Sequence, residues 1–314
     1  MKNDYEKLKS HSYKPDAIQV AMYRPFVKEH YYFDRNFNDM VYQIPRLFPT
    51  PQSKNLVICC SGNGANTFST LITDCIPDLH ILESGTQCFP LYYYDEPEKN
   101  RQRTLFDIDD ESRVRRDGIS DFILQRCREE FGYKTTKEDI FFYIYGLLHS
   151  RQYREKFSPD LKKMLPRIPL VKDFWAFSKA GRKLADLHLG YESLPTSNLV
   201  SLDVRENNYD VVKMRFPQKG KKDTIIYNQY ITISNIPLRA YEYIVNGKSP
   251  IEWIMERYQI TIDPNSKIEN NPNLWGRESG DKKYIFNLLL KLITLSLETL
   301  DIMDSLPNIS DELK

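Results

Sequence analysis

Two rhythms of apolar residues divide this chain. From Tyr23 to about Tyr94 they fall in short β-branched or aromatic runs, His30–Asp34, Asn55–Cys60, Ser69–Thr73, Leu79–Glu83 and Gln87–Tyr94, separated by Pro, Gly, Asn and Asp. That pattern predicts a β-rich first part. Beyond Gly118 the spacing changes to three and four residues. Ile119, Phe122, Ile123, Cys127 and Phe131 mark one helix; Ile140, Phe141, Ile144, Leu147 and Leu148 mark a second, capped by Thr136. After the turn at Pro166 and Pro169, a third helix from about Lys172 to Leu189 sets Phe174, Phe177, Ala180, Leu184 and Leu187 on one face. Strands are expected near Asp210–Phe216, Thr224–Tyr227 and Ile231–Ser234. Helices Leu238–Val245 and Pro250–Tyr258 follow, divided by Asn246-Gly247 as a C-cap and Ser249-Pro250 as an N-cap and first helical residue. The last element, Lys282 to about Met303, reads as a strongly apolar helix.

Polar text fills the gaps. Residues 1–22 read as a tail or a connection from something upstream, and 307–314 as a second tail. Residues 95–117 carry charge of both signs and few apolar positions, which predicts an exposed linker between a β-rich part (23–94) and a helical or mixed part (118–306). The expected fold class is α/β in the α+β sense, with both parts packed as one unit.

Composition supports a real core: 314 residues, 41% hydrophobic and 13% aromatic. Tyr is abundant at 21 residues, and its apolar body with a polar tip suits half-buried surfaces. Forty-four basic against 43 acidic side chains give a net charge of +1, so any polyanion site must be local. The start lacks the apolar segment of a signal peptide, and no stretch reaches the ~20 apolar residues of a membrane span, so a cytoplasmic location is expected. Cys59, Cys60, Cys75, Cys88 and Cys127 follow no CxxC spacing and read as small core residues.

The most enzyme-like string is SGNGANTFS, Ser61–Ser69, a Gly-rich loop after an apolar strand. It matches neither GxGxxG nor GxxxxGK[ST], and β-branched text follows it where a phosphate loop would open a helix. A strand-to-strand turn with Gly62 and Gly64 at positive φ is the plainer reading; a loop whose Asn63 and Asn66 amides reach a ligand is the other. The five histidines have ordinary roles: His149 and His188 in last helical turns, as cations or donors to free carbonyls; His80 in strand-like text; His11 and His30 near the N-terminus. The acidic run Asp107–Glu111 reads as an exposed linker face.

Basic charge is locally concentrated. Arg151–Lys183 holds ten basic and three acidic residues, and Lys213, Arg215, Lys219, Lys221 and Lys222 have no acid between them. Such clusters neutralise phosphates by counterion release; equally, they form solvated helix faces and charged hairpin tips.

Ordered blocks extend through most of the chain. Tyr23-Arg24-Pro25-Phe26, Tyr32-Phe33-Asp34-Arg35 and Ile44-Pro45-Arg46-Leu47-Phe48-Pro49 open the series. Leu71–His80 with Gln87–Tyr92, Glu138–Tyr145, Leu165–Pro169, Asp173–Phe177, Leu184–His188, Met214-Arg215-Phe216, Tyr241–Gly247 and Trp253–Tyr258 continue it. Together, from Tyr23 to about Leu306, they resemble the C-terminal specificity region of type ISP restriction-modification enzymes. The resemblance implies a target recognition region in polypeptides that also carry a nuclease, an ATP-driven helicase-like motor and an adenine-N6 methyltransferase. Its partners would be double-stranded DNA and those domains, on the same or a companion polypeptide. S-adenosylmethionine, ATP and Mg²⁺ would serve the associated domains, with no cofactor in this chain. No P-loop, methyltransferase Asn/Asp-Pro-Pro-Tyr motif or nuclease set is present in the sequence, so a non-catalytic role is expected.

Sequence readout needs Arg, Lys, Asn or Gln presented to base edges, and backbone positioning needs cations. The candidates are Asn63 and Asn66 on the Gly-rich loop, Arg24, Lys28 and Arg35 near the first block, and Lys213, Arg215, Lys219, Lys221 and Lys222. Arg24 and Arg35, lying inside family blocks, are also candidates for structural duty. The rival functions are a scaffold domain that docks the methyltransferase and motor without DNA preference, and a small-molecule enzyme using Ser61–Ser69.

Overall fold

The computed structural model describes residues 12–34, 36–38, 40–96 and 113–309. Strand β1 (Ile18–Arg24) turns through Pro25-Phe26 into antiparallel β2 (Val27–Tyr32), and Phe26 takes a left-handed φ of 62° at that turn. The fold thus begins inside the stretch expected to be a tail. A short helix α1 (Ile44–Leu47) leads to β3 (Val57–Cys60), which pairs antiparallel with β4 (Thr70–Thr73) on one side and β6 (Gln87–Pro90) on the other; β5 (Ile76–Pro77) pairs parallel with β1. The single run Gln87–Tyr94 is broken at buried Leu91, after which β7 (Tyr92–Asp95) pairs with β8 (Val114–Asp117). Only the two ends of the charged 95–117 segment fall within the described residues, and they are held in this hairpin. The acidic run Asp107–Glu111 lies outside them, as does His11. No strand forms over Leu79–Glu83: the Asp78 carboxylate accepts the His80 amide at 2.7 Å and turns the chain, leaving His80 exposed.

Helices α2 (Asp121–Phe131) and α3 (Lys137–His149) follow the expected apolar spacing, and α3 starts at the expected cap. Ser120 accepts the Ile123 amide, and Thr136 forms a reciprocal box with Asp139. Two short helices, α4 (Arg151–Lys156) and α5 (Ser158–Leu161), lead to α6 (Phe174–Leu189). Helices α3 and α6 cross with their backbones in contact: a Cβ on Gly146 would meet the Phe177 carbonyl oxygen at 2.2 Å, and one on Gly181 the Phe142 carbonyl oxygen at 1.8 Å. Two glycines one above the other make this approach possible.

A small sheet follows, in the order β10 (Ile225–Ile226), β11 (Ile231–Ser234), β9 (Ser201–Val204), all antiparallel. The expected strand Asp210–Phe216 reduces to one bridge between Arg215 and Ile226. Val211 at its start is held otherwise: the Asn273 side chain accepts the Val211 amide at 2.9 Å and donates to the Val211 carbonyl at 2.8 Å. The expected helix Leu238–Val245 is a single 3₁₀ turn, Leu238–Tyr241. Asn246 and Gly247, at φ of 53° and 81°, form the left-handed pair of a tight turn between Val245 and Lys248 instead of a helix C-cap. Helix α7 (Pro250–Arg257) carries the Ser249–Glu252 capping box. A hairpin of β12 (Thr261–Ile262) and β13 (Glu269–Asn270), helix α8 (Asn273–Glu278) and the long α9 (Tyr284–Asp304) complete the chain.

Alternation along β3 organises the interior. Val57 and Cys59 face one hydrophobic cluster, built from β1, β2, the small sheet, α7 and α9; Ile58 and Cys60 face a second, built from α3, α6 and Leu91. Both clusters draw on the β-rich and the helical segments, which packs them as one unit. All five cysteines are free; Cys59, Cys60 and Cys127 are buried, and burial pushes the Cys60 thiol up to about 12.

Candidate nucleic-acid interface

The Gly-rich loop Ser61–Ser69 is a built turn most of whose amides are already spent. Gly62 donates to the Glu83 carbonyl at 2.9 Å, Gly64 to the Lys162 carbonyl at 2.7 Å and Asn66 to the Glu83 carboxylate at 3.0 Å. The Asn66 side chain binds that same carboxylate. A phosphate here would find the Gly62, Gly64 and Asn66 amides taken and would meet the Glu83 carboxylate, which disfavours the phosphate-loop reading. Gly64 has the expected left-handed φ of 87°, but Gly62 does not; it is glycine because a Cβ would lie 1.9 Å from the Ser84 carbonyl oxygen. Of the two loop amides, Asn66 is clamped and Asn63 stands exposed at the tip. The bond to Lys162 sets that tip beside exposed Lys162 and Lys163, a juxtaposition that sequence spacing of about 100 residues does not show.

Of the candidates near the first block, Arg24 spends its guanidinium inside the protein. It donates to the Tyr23 carbonyl at 2.6 Å and to Asp78 at 2.9 Å, lying 3.9 Å from the Tyr23 ring centroid. Lys28 pairs with Glu192 and sits 5.2 Å from the Tyr191 ring centroid, tying β2 to the segment after α6. Arg35 lies outside the described residues.

The second basic cluster divides in two. Lys222 is paired with Glu252 at 2.7 Å and covers Tyr241. Lys213, Arg215, Lys219 and Lys221 are exposed and make no side-chain ion pair among the described residues. Gly220, at φ 85°, bends the loop that carries the last two. The first basic segment divides likewise. Arg151 pairs with Asp304, Arg182 with Glu138 and Asp139, and Arg154 donates to the Leu148 carbonyl at 2.6 Å from a part-buried position. The exposed Lys156, Lys162, Lys163, Arg167, Lys179 and Lys183 have no ion-pair partner among the described residues.

The helix-terminal histidines are not cations. The Tyr145 hydroxyl contacts His188 Nδ1 at 2.6 Å, Thr299 contacts its Nε2 at 3.0 Å, and the Tyr243 ring stacks on it. Burial, reinforced by Arg154, lowers His188 to about 3 and holds His149 well below the usual histidine range. His149 keeps its donor role, bonding the Tyr145 carbonyl through Nδ1 at 2.8 Å. Both rings are core residues, remote from proton-transfer duty at a surface. His30 is exposed on β2 against the Trp275 ring. No group of three or more His, Cys, Asp or Glu that could hold a metal ion occurs among the described residues, and none of their helices is long and apolar enough to cross a membrane.

Comparison with known proteins gives this surface a context. The family model of the type ISP C-terminal specificity domain matches residues 1–288. Among solved structures, the ATP-dependent type ISP restriction-modification enzyme LlaBIII bound to DNA shares 40% identity at a TM-score of 0.87, over 98% of this chain and 19% of that one. A nuclease-deletion mutant of the type ISP enzyme LlaGI in complex with a DNA substrate mimic shares 39% identity at a TM-score of 0.83, over 98% of this chain and 26% of that one. The DrdV–DNA complex shares 29% identity at a TM-score of 0.81, over 97% of this chain and 30% of that one. This chain therefore spans between about a fifth and a third of the length of these polypeptides. Among curated proteins none matches. By the extent of the family match and the identity to LlaBIII, the chain belongs to the type ISP C-terminal specificity domains.

Proposed function

We propose that this chain selects the duplex DNA sequence on which a type ISP restriction-modification enzyme acts, and that it does so without catalytic chemistry of its own. The observation that carries the reading is the end-to-end match to part of an enzyme solved on DNA, at 40% identity and a TM-score of 0.87. On this reading the adenine methyltransferase, the motor and the nuclease are the chain's working partners. S-adenosylmethionine, ATP and Mg²⁺ serve those domains in the cytoplasm. The neutral, buried state of His149 and His188 and the Gly62, Gly64 and Asn66 amides already bonded within the protein support a recognition role over a catalytic one.

Phosphate contacts hold such a module in register and base-edge contacts give it specificity. Four exposed cations, Lys213, Arg215, Lys219 and Lys221, would contribute a slope of about −3 to −4 to log K against log salt if all reach phosphates. Fluorescence anisotropy on labelled duplexes across salt concentrations tests the reading. A steep salt dependence with at least ~10³-fold preference for one sequence supports it. Flat, weak binding to every duplex overturns it and leaves a docking role for the surface.

A further inference from the structure

Lys213 and Arg215 stand out in the sequence by charge alone, and the fold places a turn beside them. An open concavity of about 370 Å³ is lined by both, together with Asn208, Val212 and the turn Asn228–Tyr230 between β10 and β11. That turn is locked by one side chain. Asn228 donates through Nδ2 to the carbonyls of Asn208 at 2.8 Å and Asp210 at 3.0 Å, and its Oδ1 accepts the amides of Tyr230 at 2.9 Å and Ile231 at 2.8 Å. Arg215 and Ile226 exchange both backbone hydrogen bonds, at 3.1 and 2.9 Å, and the buried Tyr227 hydroxyl donates to the Tyr209 carbonyl at 2.8 Å. On this rigid mount the next residue, Gln229, is exposed and makes no side-chain hydrogen bond among the described residues.

We infer that Gln229 is a specificity-determining residue, reading a base-pair edge in the major groove while Lys213 and Arg215 hold the flanking phosphates; the inference rests on the target-recognition reading above. A glutamine amide offers one donor and one acceptor in a plane, the complement of adenine N7 and N6, and a fixed backbone keeps its approach geometry constant. The concavity also offers an apolar contact beside those cations: Val212, 65% exposed, is of the kind a thymine methyl accepts, while the Asp210 carboxylate is taken up by Arg277. A second concavity lacks this surplus of cations, since Glu29, Glu269 and Glu278 line it together with Lys28 and Arg257.

The test is selection from a randomised duplex library with the full 314-residue chain, its Gln229→Ala variant and a Lys213→Ala/Arg215→Ala variant, each first checked for an unchanged urea midpoint. The inference expects the wild-type chain to enrich a motif and Gln229→Ala to lose discrimination at one position of it by about tenfold while still selecting the rest. The double variant should weaken binding to all duplexes alike and keep the motif. A wild-type motif that Gln229→Ala reproduces at every position overturns this inference alone. A wild-type chain that enriches no motif overturns the target-recognition reading, and this inference with it.

Discussion

Gly181→Ala sets two physical effects against each other, and the sign of the outcome decides between them. Gly181 lies within α6, where helix propensity alone favours alanine by about 1 kcal/mol. The added methyl, however, would stand 1.8 Å from the Phe142 carbonyl oxygen and 2.7 Å from the Gly146 amide nitrogen. Ordinary contact begins near 3.4 Å, so α3 and α6 must part by roughly 1.5 Å, and the obstacle is backbone that no rotamer change can move. Overpacking of this kind costs about 3 kcal/mol or more, and the crossing it pries open carries buried Phe142, Phe177 and Leu184. The expected net loss is about 2–4 kcal/mol, read as a lower urea midpoint at constant m-value. Gly146→Ala attacks the same crossing, against the Phe177 carbonyl oxygen at 2.2 Å. The double variant should therefore lose clearly less than the sum of the singles, because helices already parted accept the second methyl. A Gly181→Ala protein as stable as wild type, or more so, refutes the reasoning.

The same physics gives further expectations. His188, lowered to about 3, and His149, also lowered, must gain protons on acid unfolding; their contribution is complete above about pH 6.5 and is lost as pH falls from there towards 3. Urea midpoints measured down that range should decline, and His188→Gln should flatten the decline. Lys219→Ala and Lys221→Ala should each reduce the salt slope of DNA binding by about 1, whereas Lys222→Ala, removing a cation held by Glu252, should leave the slope within error and lower stability slightly. Glu83→Ala removes the acceptor of the Asn66 amide and side chain; amide exchange at Asn66 should accelerate, at a cost of about 1 kcal/mol or less in global stability. Arg24→Ala should affect the unfolding midpoint more than DNA affinity, since its guanidinium bonds Tyr23 and Asp78.

Local signals in the sequence determined the elements that depend on local physics. The caps at Thr136 and Ser249 were enough to start α3 and α7, and three- and four-residue apolar spacing was enough to place α2, because capping and amphipathic burial act within a few residues. The ordered blocks sufficed for the family, and the run Lys213–Lys222 for a basic surface. Tertiary structure decided what required a distant partner. Asp210–Phe216 has strand-like residues, yet Asn273 takes both backbone groups of Val211 and pairing stops at the Arg215–Ile226 bridge. Asn246-Gly247 could end a helix or close a tight turn, and only the Val245–Lys248 pairing selects the turn. Charge counts could not tell a cation held by a carboxylate from one facing solvent, so Lys28 and Lys222 read like Lys219 and Lys221 until Glu192 and Glu252 were placed beside them. Gln229 carried no signal at all. An isolated glutamine in a polar turn becomes a candidate reader only when the Asn228 hydrogen bonds fix its backbone beside Lys213 and Arg215, because readout depends on geometry that composition does not encode.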